Sequence, residues 1–339
     1  MKTDRNLDIL RAAAVLVVLI AHCLPASPAQ QAAGHYAVLI FFVHTALVLL
    51  LSLERQAGAP GIAARFYTQR VFRIYPLSIL CVLVTLAFRI SWPDSVFSPR
   101  SGLSIAANLL LAQNFVHERF SISPPLWSLP YEVQMYAVLP VVFLLLRKHG
   151  KRALPGLAAV SLALPLAEVL IGPFRGLLIT RYVPCFMGGA LAFTAYGSPR
   201  RLPWPLWPAA IAGLGALYWL AGQTMPADWF ACIALGLLVA AFREVPIGLL
   251  SKAAGVVARY SYGIYLSHVP LLWLCFQRLE FLPAAVKWIL FAGLMCTMPV
   301  ALYHAIEEPM IATGKALSMR IFPIGKRAAA PTAVPATLL

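Results

Sequence analysis

Charge is what this sequence has least of: charged residues make up 12% of 339, and only 12 of them are acidic. A water-soluble domain carries about twice that charged fraction, so a soluble globular fold is excluded. Paired cysteines are missing too. Cys23, Cys81, Cys185, Cys232, Cys275 and Cys296 stand singly in or beside apolar segments, with no CxxC and no Cys/His spacing of a metal site. They read as packing residues, and no metal is expected. The apolar runs lack the two-residue alternation of barrel strands. No internal repeat and no appended soluble domain is visible, so any chemistry belongs to the apolar part.

What is present is hydrophobicity, at 61% of residues. Runs such as AAAVLVVLIAHCL and YAVLIFFVHTALVLLLSL recur about every 30 residues, and a bilayer-spanning helix needs roughly 20 apolar residues. Backbone polar groups in hydrocarbon must be satisfied internally, so these runs are helices. They predict an all-α polytopic membrane bundle of about ten spans, near 9–25, 36–53, 74–90, 129–146, 153–171, 182–196, 204–222, 229–242, 260–276 and 285–306.

The net charge of +15 invites a nucleic-acid reading, but the positions of the charges argue against it. With the N-terminus cytoplasmic, 19 of the 27 basic residues fall in inner segments. Seven fall outside (Arg89, Arg100, Arg119, Arg175, Arg181, Arg278 and Lys287), and Arg11 lies inside the first span. The positive-inside rule then places both termini in the cytoplasm, with lipids rather than nucleic acid as the surrounding partner. Lys2 and Arg5 before an apolar run resemble a secretory signal, but Arg11 within that run argues for a retained helix.

One outer connection, 91–128, is long enough for structure of its own. Within it LSIAANLLLAQNF (104–115 and its flank) is too short to span, which leaves a re-entrant or interfacial helix or a lid. The inner stretch PIGLLSKAAGVVARY reads as an interfacial helix. Residues 1–314 form the membrane domain, and 315–339, basic and then rich in Ala, Pro and Thr, read as a disordered cytoplasmic tail.

Ionisable side chains inside spans are functional candidates. Arg11 and His22 are eleven residues apart, which puts them within about 20° on one helix face and about 16 Å apart along it. Arg11 has Asp8 three residues before it. The plain alternative is a snorkelling arginine and a packed histidine. Arg70 and Arg73 open the third span, near Pro76, and with Arg11 would make three guanidiniums suited to a phosphate-rich ligand such as coenzyme A. The alternative is that they only enforce topology. Glu132 enters the fourth span from outside near the expected level of His22, behind the aromatic residues Trp127 and Tyr131. A histidine beside a carboxylate can take a proton from a hydroxyl. His44 and His268 lie deeper and read first as interhelical hydrogen-bonding groups. Glu307 and Glu308 either answer the arginines or are solvated helix-end carboxylates.

The segments LDILRAAAVLVVLIAH, FFVHTALVL, QRVFRIYP, LWSLPYEVQMY, YSYGIYLSH and EEP, in this order over about residues 5–310, resemble the membrane-bound acyltransferase-3 family. The resemblance implies ten membrane helices and transfer of an acyl group, commonly acetyl from cytosolic acetyl-CoA, to a hydroxyl of a carbohydrate or lipid-linked glycan. By that resemblance His22 and Arg11 are the essential pair, with Arg70, Arg73 and Glu132 supporting. Within the same segments Ser128, Tyr136, Tyr265, Trp127, His44 and His268 are further site candidates. His44-Thr45-Ala46 departs from the family's serine-glycine-phenylalanine, and Gln69-Arg70 from its doubled arginine. Relatives often carry an extracytoplasmic esterase-like domain, so this chain is expected to act alone or with a separate partner, in a bacterial cytoplasmic membrane. The rival readings are a transporter or glycan exporter using the same charges, and a scaffold.

Overall fold

A computed structural model describes residues 4–90, 101–116, 121–171, 180–196, 199 and 202–323. Among them the regular structure is helical, with one isolated bridge between Leu202 and Phe242. The helices are α1 (Arg5–Cys23), α2 (Pro28–Arg55), α3 (Ile62–Ala87), α4 (Gly102–Leu109), α5 (Leu129–His149), α6 (Leu154–Ile171), α7 (Val183–Ala195), α8 (Trp207–Leu220), α9 (Met225–Ala241), α10 (Leu249–Leu272), α11 (Ala284–Leu302) and α12 (Glu308–Ile321). Each of the ten expected spans holds one of them. Five helical stretches are long and apolar enough to cross a membrane: Arg5–Cys23, Pro28–Arg55, Ile62–Ala87, Pro124–Leu170 and Ala284–Ile321.

Local chemistry starts these helices. Asp4, Ser27, Ser101 and Thr224 each accept a backbone N–H of the first turn, and Pro28 and Pro226 occupy early positions that need no donor. In α1 the residues Leu7, Leu10, Ala14, Val18 and Ala21 are buried, while Leu16, Val17 and Ile20 are exposed. A helix apolar on its outward face as well as its packed face suits a lipid solvent.

The chain forms two compact units. Unit 1 comprises Met1–Ala63, Gln134–Ala258 and Ile324–Leu339, and unit 2 comprises Ala64–Val133 and Arg259–Pro323. In unit 1, glycines let α7 touch its neighbours backbone to backbone. A Cβ on Gly188 would lie 2.1 Å from the Cys232 carbonyl oxygen on α9, and one on Gly236 2.1 Å from that of Gly188. Small residues of this kind replace the hydrophobic effect as the basis of helix association in lipid. Gly188→Val is therefore expected to lower the unfolding temperature in detergent and the amount of protein in the membrane. Wild-type values for both would remove this account of the contact.

Unit 1 groups its connecting segments in two sets, one at each end. Three segments assigned to the inner side meet at one end. Arg5 pairs with Glu244 and donates to the Val245 carbonyl, Asn6 bonds to the backbone of Arg243 and Val245, and Tyr196 Oη donates to Asp4. At the other end Gln30 donates to the Ala21 carbonyl, and His35, Arg181, Tyr182, Tyr218 and Asp228 gather. Gln30, His35, Arg181 and Asp228 belong to connections assigned to the other side, and Ala21, Tyr182 and Tyr218 to the span ends that adjoin them.

Unit 2 departs from expectation in instructive ways. α3 begins at Ile62, twelve residues before the expected span, so Arg70, Arg73 and Pro76 lie within the helix rather than at its mouth. The boundary expected at 314 falls inside α12, whose Ser318 is fully buried. α12 lies along the first half of α3. Arg65 Nη1 donates to the Phe322 carbonyl, Gln69 Nε2 donates to Ser318 Oγ, and a Cβ on Gly314 would lie 2.6 Å from Phe72 Cβ. Residues 315–322 are thus ordered by packing that composition does not reveal, and the disorder expected for 324–339 lies outside the described residues.

Within the connection 91–128, the described residues after α4 lie alongside α3. Tyr75, near the middle of that 26-residue helix, donates its hydroxyl to the Leu110 carbonyl just after α4. At 1.5 Å per residue this is about 18 Å from the outer end of α3. The returning chain is pinned by Asn108 Oδ1, which accepts Ile122 N–H, and by Gln113 Nε2, which donates to the Leu126 carbonyl. The stretch read as an interfacial helix is instead continuous with α10, which runs unbroken from Leu249.

Candidate active site

In unit 1, the Nδ1 of His22 lies 2.8 Å from the Val18 carbonyl oxygen, one turn back on α1. A carbonyl can only accept, so Nδ1 carries the hydrogen and the neutral ring keeps its lone pair on Nε2. That is the tautomer a proton-accepting base requires. The side chain is half-buried near the end of α1. Arg11 stands eleven residues earlier, within electrostatic reach of Asp8 and of His44.

His44 is only 4% exposed and packs against α1, in contact with the Leu7 backbone. The structure therefore brings it to the Arg11 end of α1 rather than to His22. The departure at His44-Thr45-Ala46 has a packing consequence as well: a Cβ on Gly189 would lie 2.4 Å from Ala46 Cβ. A small side chain at 46 is what allows α7 to close on α2. Tyr136, also in unit 1, is buried.

In unit 2, Arg70 and Arg73 sit on one helix, three residues apart. Arg70 lies over the Phe66 ring at 5.9 Å, and Arg73 over the Tyr262 ring at 6.0 Å. Arg73 Nη1 is paired with Glu307, whose side chain is wholly buried, while its neighbour Glu308 is 55% exposed and bonded to His304. Of the two carboxylates, one answers the arginines and the other is the solvated helix-end residue.

Ser128 Oγ and Tyr265 Oη share a hydrogen bond of 2.9 Å. Tyr265 is well inside α10, so the start of α5 lies deeper than the mouth of a span. Glu132, one turn on, is within electrostatic reach of both Tyr262 and Tyr265. Tyr262 donates its hydroxyl to the Ile74 carbonyl and also feels Glu307 and Arg73. Trp127 stacks edge-on to Tyr131 at 6.5 Å, and His268 bonds the Ile264 carbonyl through Nδ1 while its ring lies 6.0 Å from that of Tyr265. The six residues Arg73, Glu307, Tyr262, Glu132, Tyr265 and Ser128 thus form one polar group within unit 2. Arg11, His22, His44 and Tyr136 belong to unit 1.

Two residues of consequence, Tyr262 and Asp228, are not singled out by the sequence. Tyr262 sits in a quoted motif but has the unremarkable look of a membrane aromatic. Asp228 is wholly buried, accepting from Arg181 Nη2 at 2.9 Å and from Tyr218 Oη at 2.8 Å, with His35 Nε2 at 3.6 Å. A carboxylate at a span end was the available signal, and Arg181 had been counted as an ordinary outer cation. Glu307, one of the two carboxylates expected to answer the arginines, does so at Arg73. Among the described residues no group of three or more His, Cys, Asp or Glu is arranged to hold a metal ion.

The sequence model of a family described as an acyltransferase domain matches residues 4–304. Searches of curated proteins and of solved structures returned no match. A match over nearly the whole helical region, together with apolar helices fit to cross a bilayer, places the chain in the membrane-bound acyltransferase-3 family, as a multi-pass acyltransferase.

Proposed function

We propose that the enzyme moves an acyl group, acetyl in the first instance, from cytosolic acyl-CoA to a hydroxyl of a carbohydrate or lipid-linked glycan. His22 is the general base in this reading, Arg11, Arg70 and Arg73 the cations for the donor's phosphates, and Glu132 a supporting carboxylate. The membrane is the bacterial cytoplasmic one, and an extracytoplasmic partner is the natural recipient where the final acceptor lies beyond it.

The observation that carries the reading is the His22 Nδ1–H bond to the Val18 carbonyl. It orients the ring and leaves Nε2 to take the acceptor's proton. The acceptor oxygen then attacks the thioester carbonyl carbon, the carbon–sulfur bond breaks, and the departing thiolate of CoA takes up the proton from the imidazolium. The products are an O-ester and CoA with a free thiol. Arg11 and His22 lie about 16 Å apart along α1, a distance an extended pantetheine arm can cover. Arginine suits the phosphate end because its planar fork binds two phosphate oxygens at once.

The test is mass spectrometry of surface and secreted glycoconjugates from cells carrying the wild type or His22→Ala at matched membrane levels. An acetyl-sized mass increment with the wild type, lost in the variant, is the expected result. An increment that persists in the variant ends the assignment of His22, and its absence with both ends the choice of acceptor.

A further inference from the structure

Arg73 is a candidate donor ligand, yet one of its nitrogens is already held by a carboxylate. Glu307 has a wholly buried side chain, while 22% of the Arg73 side chain remains exposed. A guanidinium has five N–H donors on a rigid plane, so one edge can serve a carboxylate while another serves a phosphate. We propose that Glu307 is the positioning residue for Arg73: it fixes one edge of the guanidinium so that the open edge is presented to an anionic phosphate of the donor. The proposal rests on the donor reading given above and adds the residue that sets its geometry.

Three observations support it. Glu307 ends a wide π-helical turn, Tyr303–Glu307, inserted between α11 and α12. Such turns are rare and concentrate at functional sites, because an extra residue per turn weakens the helix. Beneath the guanidinium lies the Tyr262 ring, itself anchored by its hydroxyl to the Ile74 carbonyl next to Arg73. Arg73 is therefore held by a carboxylate and an aromatic face together, more restraint than a topology-setting cation needs. Finally, the ion pair is not required to join α12 to α3. The Arg65–Phe322 and Gln69–Ser318 bonds and the Phe72–Gly314 contact already do so.

The same geometry gives an expected order of effects. Glu307→Gln keeps a hydrogen-bond acceptor but removes the charge that holds the fork, so Arg73 gains freedom it must lose again on binding. The donor KM should rise while kcat, set elsewhere, stays close to the wild type. A purely structural Glu307 would instead lower stability and leave the KM of the surviving enzyme unchanged.

The experiment is a double-mutant cycle on the full chain in detergent, with coenzyme A binding measured by calorimetry and acetyl-CoA KM and kcat measured beside it. Glu307→Gln is expected to weaken coenzyme A binding about tenfold, with kcat within about threefold of wild type. In an Arg73→Lys background, where the fork is gone, the same substitution should have no further effect. If Glu307→Gln does not accumulate, Glu307→Asp, which keeps the charge on a shorter arm, takes its place in the cycle. Wild-type affinity in the Glu307 variant, or an equal loss in the Arg73→Lys background, overturns the proposal. A wild-type protein that binds no coenzyme A overturns the donor reading itself, and this inference with it.

Discussion

Substituting His22→Gln or His22→Asn is expected to lower the rate of acyl transfer about a hundred- to ten-thousand-fold, the range over which a positioned general base acts. Asparagine is the sharper choice. Its side-chain N–H can replace the Nδ1–H that reaches the Val18 carbonyl, while neither amide offers a basic nitrogen. Packing of α1 should survive, because the buried residues of that helix are Leu7, Leu10, Ala14, Val18 and Ala21 rather than His22. The measurement is transfer of labelled acetyl in membranes adjusted to equal amounts of each protein. A variant with more than about a tenth of the wild-type rate would mean that the proton goes elsewhere.

The largest effect on stability is expected at Asp228, also in unit 1. Asp228 has a side chain with 0% exposure and is held by Arg181 Nη2, Tyr218 Oη and His35. A buried carboxylate is tolerable only while its partners stay in place. Removing one charge of such a pair leaves the other desolvated and uncompensated, at a cost of about 3–5 kcal/mol. Asp228→Asn should therefore unfold at a clearly lower temperature in detergent. Arg181→Met combined with Asp228→Asn should recover part of that loss, because neither charge is then buried alone. A double variant no more stable than the single one would show that the Tyr218 hydrogen bond, not the ion pair, holds this end of the unit together.

Acyl transfer, as the family assigns it, sets aside the transporter and scaffold readings of the same intramembrane charges. Which residues of the site were legible beforehand follows from the range of the forces involved. The spans near 9–25 and 36–53 were readable because transfer of apolar side chains to lipid is nearly additive along the chain. Which connecting segments gather at the same end of unit 1 was readable because the alternation of spans and cations follows insertion rather than packing. The tautomer of His22 was not read from the sequence, because it depends on the side-chain rotamer that brings Nδ1 to the Val18 carbonyl. The helix over 315–321 was not legible because packing of α12 on α3 joins residues as far apart as Arg65 and Phe322.

By itself, the order of residues determined a multi-pass helical membrane protein of the acyltransferase-3 family and a short list of ionisable candidates for its site. Only the tertiary structure decided which charges are paired. Arg73 with Glu307 is a contact across 234 residues and Arg181 with Asp228 one across 47. The physical reason is that an ion pair depends on the rotation and depth of two helices at once. Close helix contacts at Gly188 and Gly314 and the wide turn before Glu308 bear on those variables, and they join residues far apart in the chain.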